Sequence, residues 1–127
     1  MISVATSSIH FPLTDSPAPK LLSIVVPCYN EEDSVAHLRE RVSTVVGALQ
    51  QPYELVFVND GSTDNTLAIL LELRTVDPHV TVVNLTRNFG KEIALTAGLT
   101  HAVGDAIVVI DCDLQDPPEL IGQFIAH

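Results

Sequence analysis

Three aspartates stand in Asp111-Cys112-Asp113-Leu114-Gln115-Asp116, directly after the apolar run Ile107-Val108-Val109-Ile110. The run reads as a buried strand that delivers the aspartates to the surface. Side chains on extended chain alternate with a period of two, so Asp111 and Asp113 point the same way if the backbone stays extended. Two convergent carboxylates suit a hard divalent cation that keeps some water and takes its remaining ligands from a phosphate. A polar loop after a strand is the plainer account of the same residues. The elements that position the aspartates decide between the two.

The chain of 127 residues has room for one domain and a real core. Its net charge of −10, with six Lys and Arg, lacks the basic face that a nucleic-acid partner needs. Two cysteines far apart, Cys28 and Cys112, do not make a secreted disulfide framework. His10, His37, His79, His101 and His127 show no ligand spacing. Residues 1–20 are rich in Ser, Thr and Pro and read as a flexible N-terminal tail. That tail has no basic start followed by an apolar core, and no apolar run reaches the length of a membrane span. The expectation is a soluble, cytoplasmic chain.

From residue 21 onward strands and helices alternate. Leu21–Pro27, Tyr53–Val58, Val80–Leu85 and Ala106–Ile110 are short apolar runs without polar alternation, which predicts strands buried on both faces. The first helix carries an apolar stripe of Val35, Leu38, Val42, Val45 or Val46, and Leu49, with Asn30 as its cap. Leu67, Leu70 and Leu71 line the second, which Asp77-Pro78 stops. The third, Lys91–Val103, holds Ala94, Ala97, Gly98 and Ala102 and is expected to pack closely on the sheet. Pro117 or Pro118 opens a fourth. This predicts an α/β fold, a parallel sheet with helices on both faces.

Ligands of open α/β sheets bind outside the carboxyl ends of the strands. All four such ends carry polar chemistry here: Cys28-Tyr29-Asn30-Glu31, Asn59-Asp60-Gly61-Ser62, Arg87-Asn88-Phe89-Gly90-Lys91, and the aspartates. The opposite edge is plainer. Helix caps account for Asn30 and Ser62, but not for Arg87 and Lys91 or for Asp111 with Asp113. The glycine fingerprints of dinucleotide and P-loop sites are absent, so a phosphate would be held by metal and cationic side chains. A phosphoacceptor receiver domain needs an aspartate at the end of the third strand, where this chain has Leu85-Thr86-Arg87.

Four ordered motifs, Val26-Pro27-Cys28-Tyr29-Asn30-Glu31-Glu32, Val58-Asn59-Asp60-Gly61-Ser62-Thr63-Asp64, Arg87-Asn88-Phe89-Gly90-Lys91 and Asp111-Cys112-Asp113-Leu114-Gln115-Asp116-Pro117-Pro118-Glu119, resemble the N-terminal part of a family 2 glycosyltransferase of the GT-A fold. The last motif is similar to that of the branch acting on polyprenyl phosphates. The resemblance makes residues 21–127 the Rossmann-like, donor-binding part of a truncated GT-A domain. It implies a nucleotide-sugar donor, with UDP or GDP, held by Pro27, Tyr29, Glu31, Asp60, Asp111, Asp113 and Gln115. It further implies Mg²⁺ or Mn²⁺ on Asp111 and Asp113, and phosphate contacts from Arg87 and Lys91. The reaction implied is inverting sugar transfer to a polyprenyl-phosphate lipid, with a longer parent at the cytoplasmic face of a membrane. Asp113, Arg87 and Lys91 would be its catalytic groups in this part. A nucleotide-binding module without transfer activity is the alternative.

GT-A sheets resemble a 3-2-1-4 order for these four strands. That order brings Cys28 and Cys112 near each other at the donor site. In a chain truncated here, one edge of the Ala106–Ile110 strand is expected to be exposed and open to self-association.

Overall fold

The computed structural model describes residues 3–5 and 19–113. Gln115 and the helix expected after Pro117 or Pro118 lie outside the described residues. The elements run β1 (Ser3–Ala5), β2 (Leu22–Cys28), α1 (Val35–Ala48), β3 (Tyr53–Asp60), α2 (Thr66–Val76), β4 (Val80–Leu85), α3 (Lys91–His101) and β5 (Ala106–Val109). They build one parallel sheet in the order β1-β5-β2-β3-β4. Leaving β1 aside, this is the expected 3-2-1-4 order.

Both faces of the sheet are apolar, as the unbroken runs require. Ile24, Val26, Leu55, Phe57 and Val108 face a core completed by Val35, Leu38, Val42 and Val46 of α1 and by Leu70 of α2. Val25, Val56, Val58, Ile107 and Val109 face the other way, onto Ala94, Leu95 and Ala97 of α3. The small residues of α3 let it sit close. A Cβ added to Gly98 would stand 2.5 Å from Val25 Cγ1 and 2.9 Å from Val58 Cγ2.

The α1 stripe uses Val46, and Leu49 is exposed. On α2 the buried line is Thr66, Leu70 and the partly buried Ile69 and Leu73, while Leu71 faces solvent. The run Leu67-Ala68-Ile69-Leu70-Leu71 is apolar all round, so its period does not choose a face. Asn30 does not cap α1; the N-cap position is Ser34, and Asn30 has φ +52° in the preceding turn.

Two differences lie at the strand ends. Strand β2 continues through Pro27 to Cys28. Val25 accepts the Ile110 N–H on its β5 side, so Pro27, two residues on, also turns its nitrogen toward β5. That nitrogen has no hydrogen to donate. The β2–β5 pairing accordingly stops at Val25 and Val109, while β2–β3 continues to Cys28 and Asn59. The second difference is β1. Residues 1–20 were expected to form a tail, yet Ser3–Ala5 pairs in parallel with Ala106–Val108. An extended segment can satisfy the unpaired N–H and C=O groups of a sheet edge. Over that register the β5 edge, expected to be open to other chains, is covered from within.

The edge opposite the strand ends is closed by hydrogen-bonded polar groups, although the buried Arg39 Nε has no partner among the described residues. Ser23 Oγ donates to Glu54 Oε2 at 2.6 Å and accepts the Gly104 N–H at 2.8 Å. Asp77 joins Arg39 (3.0 Å) to the His79 ring (2.9 Å), and that ring stacks on Tyr53 with centroids 4.1 Å apart.

Candidate functional site

Beyond the last β2–β5 pair, Val25 and Val109, the carboxyl ends of the strands open into a cleft of about 460 Å³. Pro27, Cys28, Tyr29 and Glu31 line it from the β2–α1 loop, and Asp60 from the end of β3. Asn88, Gly90 and Lys91 come from the β4–α3 loop, and Asp111, Cys112 and Asp113 from the turn after β5. The plain edge of the sheet contributes none of these, as strand-end binding predicts.

The loops are tied to one another by side chains that accept backbone N–H groups. Asn30 donates its N–H to Ser62 Oγ at 2.9 Å, and its Oδ1 accepts the Thr63 N–H at 2.8 Å. The Glu31 N–H bonds Thr66 Oγ1 at 2.9 Å. Asp64 Oδ1 accepts the Thr66 N–H at 2.9 Å, and so holds the start of α2. These bonds join the β2–α1 and β3–α2 loops into one wall and leave the half-exposed Tyr29 facing the cleft.

The third loop is held by Asp60, whose Oδ1 accepts the Phe89 N–H at 2.8 Å and Oδ2 the Gly90 N–H at 3.1 Å. Lys91 follows at once as the first residue of α3, and its Nζ lies 3.1 Å from Asp111 Oδ1. Arg87 places its guanidinium 4.6 Å from the centre of the Phe89 ring, and it is not among the residues lining the cleft. Stacking of that kind fixes the Arg87 side chain on its own loop.

The backbone does not stay extended through the aspartates. Strand β5 ends at Val109, and Cys112 and Asp113 form a turn. Asp111 and Asp113 nevertheless both line the cleft. Their charges reach Glu31. Burial comes first, then the Asp113 carboxylate, with smaller pushes from Asp64 and Asp111, and together these outweigh a hydrogen bond to Ser34 and raise the Glu31 carboxyl. The floor is formed by Cys28 and Cys112, both buried and hydrogen-bonded to each other, as the strand order predicts. Burial, then that hydrogen bond and the charges of Cys112 and Glu31, push the Cys28 thiol well up.

Among the described residues no three His, Cys, Asp or Glu side chains form a set that could enclose a metal ion. Two carboxylates lining an open cleft are of the donor type that suits a hard cation completing its shell with water and phosphate oxygens. Asn88 and Gly90 are lining residues that the sequence reading did not single out. The signal for them was their place between Arg87 and Lys91. No helix among the described residues is long and apolar enough to cross a membrane.

Comparison with known proteins follows the same residues. The family model described as glycosyl transferase family 2 matches residues 23–127. The chain is 52% identical over 104 residues to the uncharacterized glycosyltransferase sll0501 of Synechocystis, covering 82% of this chain and 33% of that protein. It is 43% identical over 106 residues to the undecaprenyl-phosphate 4-deoxy-4-formamido-L-arabinose transferase of Proteus mirabilis, covering 83% of this chain and 32% of that protein. The structure superposes on the mannosyltransferase PcManGT of Pyrobaculum calidifontis, solved with GDP-Man and Mn²⁺, with a TM-score of 0.68 and 26% identity. That match covers 84% of this chain and 36% of the other. The chain thus spans about a third of the length of the curated relatives it matches.

Proposed function

This chain belongs to glycosyl transferase family 2 and has the α/β sheet of the GT-A enzymes, and from that membership we propose that its cleft binds the nucleotide-sugar donor of a sugar transfer to a polyprenyl phosphate. One observation carries the reading. Lys91 and Asp111 pair in a cleft that Asp113, Pro27, Tyr29 and Glu31 also line. Ring-bearing and charged lining residues together suit a nucleoside diphosphate lying along the cleft. Pro27, Tyr29 and Glu31 would line the nucleoside, UDP or GDP. Lys91 would meet the diphosphate, with Arg87 at the rim for the acceptor phosphate, and Gln115 would complete the donor site.

Asp111 and Asp113 would hold Mg²⁺ or Mn²⁺, and such an ion supplies Lewis-acid stabilisation of the charge on the departing nucleotide. The Lys91 ammonium shares the Asp111 carboxylate. It can therefore turn to a phosphate oxygen without leaving Asp111 uncompensated when a cation is present. Displacement at the sugar carbon with inversion needs a nucleophile on the far side of the ring. A lipid phosphate is already ionised near neutral pH and needs no strong base. The relative that acts on undecaprenyl phosphate supports this acceptor class. A lipid acceptor would place the whole protein at the cytoplasmic face of a membrane.

Calorimetry with UDP- and GDP-sugars, with and without Mn²⁺, on wild type and Asp113→Ala tests the reading. Binding that strengthens with Mn²⁺ and loses that gain in Asp113→Ala is expected. Metal-independent binding unchanged by the substitution would defeat the metal assignment.

A further inference from the structure

Asn88 is the only carboxamide among the described residues that line the cleft. Its side chain has no hydrogen-bond partner among the described residues. The backbone around it, by contrast, is held. Asp60 accepts the N–H groups of Phe89 and Gly90 at 2.8 and 3.1 Å. Gly61 packs so closely that a Cβ there would stand 2.3 Å from the Asn88 nitrogen. The Arg87 guanidinium, one residue before Asn88, lies 4.6 Å from the centre of the Phe89 ring, one residue after it. The β4–α3 loop is thus a preorganised support that presents an uncommitted amide to the cleft.

The other lining residues leave one part of a nucleotide sugar without a partner. The carboxylates and the Lys91 ammonium suit a cation and a diphosphate, and Pro27 and Tyr29 suit a nucleoside. A sugar ring is uncharged and displays hydroxyls that both donate and accept. A carboxamide offers the matching groups, two N–H donors and a carbonyl oxygen with two lone pairs. We propose that Asn88 is a specificity-determining residue whose amide hydrogen-bonds hydroxyls of the donor sugar. This rests on the reading of the cleft as a nucleotide-sugar site and names the part of the donor that Asn88 reads. Once a donor covers it, a sugar lacking the matching hydroxyl leaves the amide unpaired, and that mismatch costs affinity.

The decisive measurement is calorimetry with Mn²⁺ on the whole chain, comparing a nucleoside diphosphate (UDP or GDP) with its nucleotide sugars (UDP-glucose, UDP-N-acetylglucosamine or GDP-mannose). Asn88→Ala should weaken the nucleotide sugar that the wild type binds about threefold to tenfold, the scale of one hydrogen bond between uncharged groups. It should leave the diphosphate within about twofold. Lys91→Met should weaken both probes alike, so the two substitutions separate sugar from phosphate contact. Equal loss of both probes in Asn88→Ala would make Asn88 a phosphate or nucleoside contact and overturn the proposal. Unchanged binding of the nucleotide sugar would overturn it as well.

Asn88 is exposed, so Asn88→Ala should melt with the wild type, and a thermal melt separates lost contact from lost folding. If the variant fails to fold, nitrogen NMR on the wild type decides instead. The Asn88 side-chain amide resonance should move further with the nucleotide sugar than with the diphosphate. Equal movement would overturn the proposal. A wild-type chain that binds neither probe would overturn the nucleotide reading itself, and this assignment with it. That outcome is distinct from a wild type that binds both while Asn88→Ala loses both.

Discussion

Lys91 Nζ lies 3.1 Å from Asp111 Oδ1 because α3 begins and β5 ends on the same edge of the sheet. The lysine side chain is 64% exposed. An ion pair in that setting contributes about 0–1 kcal/mol to stability. Lys91→Met should therefore leave the melting temperature nearly unchanged. Nucleoside diphosphate affinity should fall about tenfold, as expected for losing one charge-assisted bond. Mn²⁺ alone should bind somewhat more tightly, since an ammonium no longer competes for Asp111. Calorimetry and a thermal melt on the same preparation check all three. Diphosphate binding unchanged by the substitution would remove Lys91 from the site.

Gly61 and Gly98 both exclude a Cβ, but against different neighbours. At Gly98 the clash is with two side-chain methyls, and φ is ordinary. Overpacking there costs about 1–3 kcal/mol, partly offset by the gain of about 1 kcal/mol for alanine over glycine within a helix. Gly98→Ala should lower stability by about 1 kcal/mol. At Gly61 the clash is with backbone of Arg87 and Asn88, and φ is positive. Gly61→Ala should cost roughly 3 kcal/mol or more. Urea denaturation of both variants tests the ranking, and the reverse order would show that the β4–α3 loop moves aside freely.

The strands were legible because unbroken apolar runs bounded by turn residues leave little choice of period. The site was legible in outline because charged residues such as Lys91, Asp111 and Asp113 stand where helix caps do not explain them. What stayed hidden involves groups without a residue type. The Asp60 carboxylate meets main-chain N–H groups, and any residues at 89 and 90 other than proline would supply them. The role of Asn30 as a bridge between loops looked like a cap, since both uses need an oxygen near free N–H groups. The face of α2 was ambiguous because Leu67 to Leu71 is apolar all round. Ser3–Ala5 joins the sheet with too few residues to show a period.

Asp77 links α2 to β4 at the far edge. Burial alone would raise its carboxyl, but the His79 N–H, the Arg39 guanidinium and the His79 ring together outweigh burial and hold it low. A carboxylate with a depressed folded pKa contributes stability that is present above its unfolded value, about 3.9, and is lost as pH falls through the folded value. Stability of the wild type should therefore drop below about pH 4. Asp77→Asn should cost about 1–3 kcal/mol near neutral pH, the range for losing a buried hydrogen-bonded partner, and should flatten that acid limb. Denaturation curves at several pH values test this. An equally steep limb in the variant would assign acid lability to other carboxylates.

Cys28 is 2% exposed and lies beside Cys112. The reactive form of a thiol is the thiolate. Burial first, then the Cys112 hydrogen bond and neighbouring negative charge, keep Cys28 protonated well above the usual thiol range. Both access and ionisation therefore oppose attack on an electrophile. In the folded chain Cys28 should stay unmodified by iodoacetamide at pH 8, while the unfolded chain reacts readily. The same shift has a stability consequence. A thiol whose folded pKa is raised contributes fully below its unfolded value, about 8.5, and that contribution is lost as pH rises beyond it. Stability should fall more steeply on the alkaline side in wild type than in Cys28→Ala. Peptide mass mapping after alkylation reads the first effect, and urea midpoints between pH 8 and 10 read the second. Rapid labelling of Cys28 in the folded chain would mean that the floor of the cleft opens to solvent, and that the cleft is not held as a fixed surface.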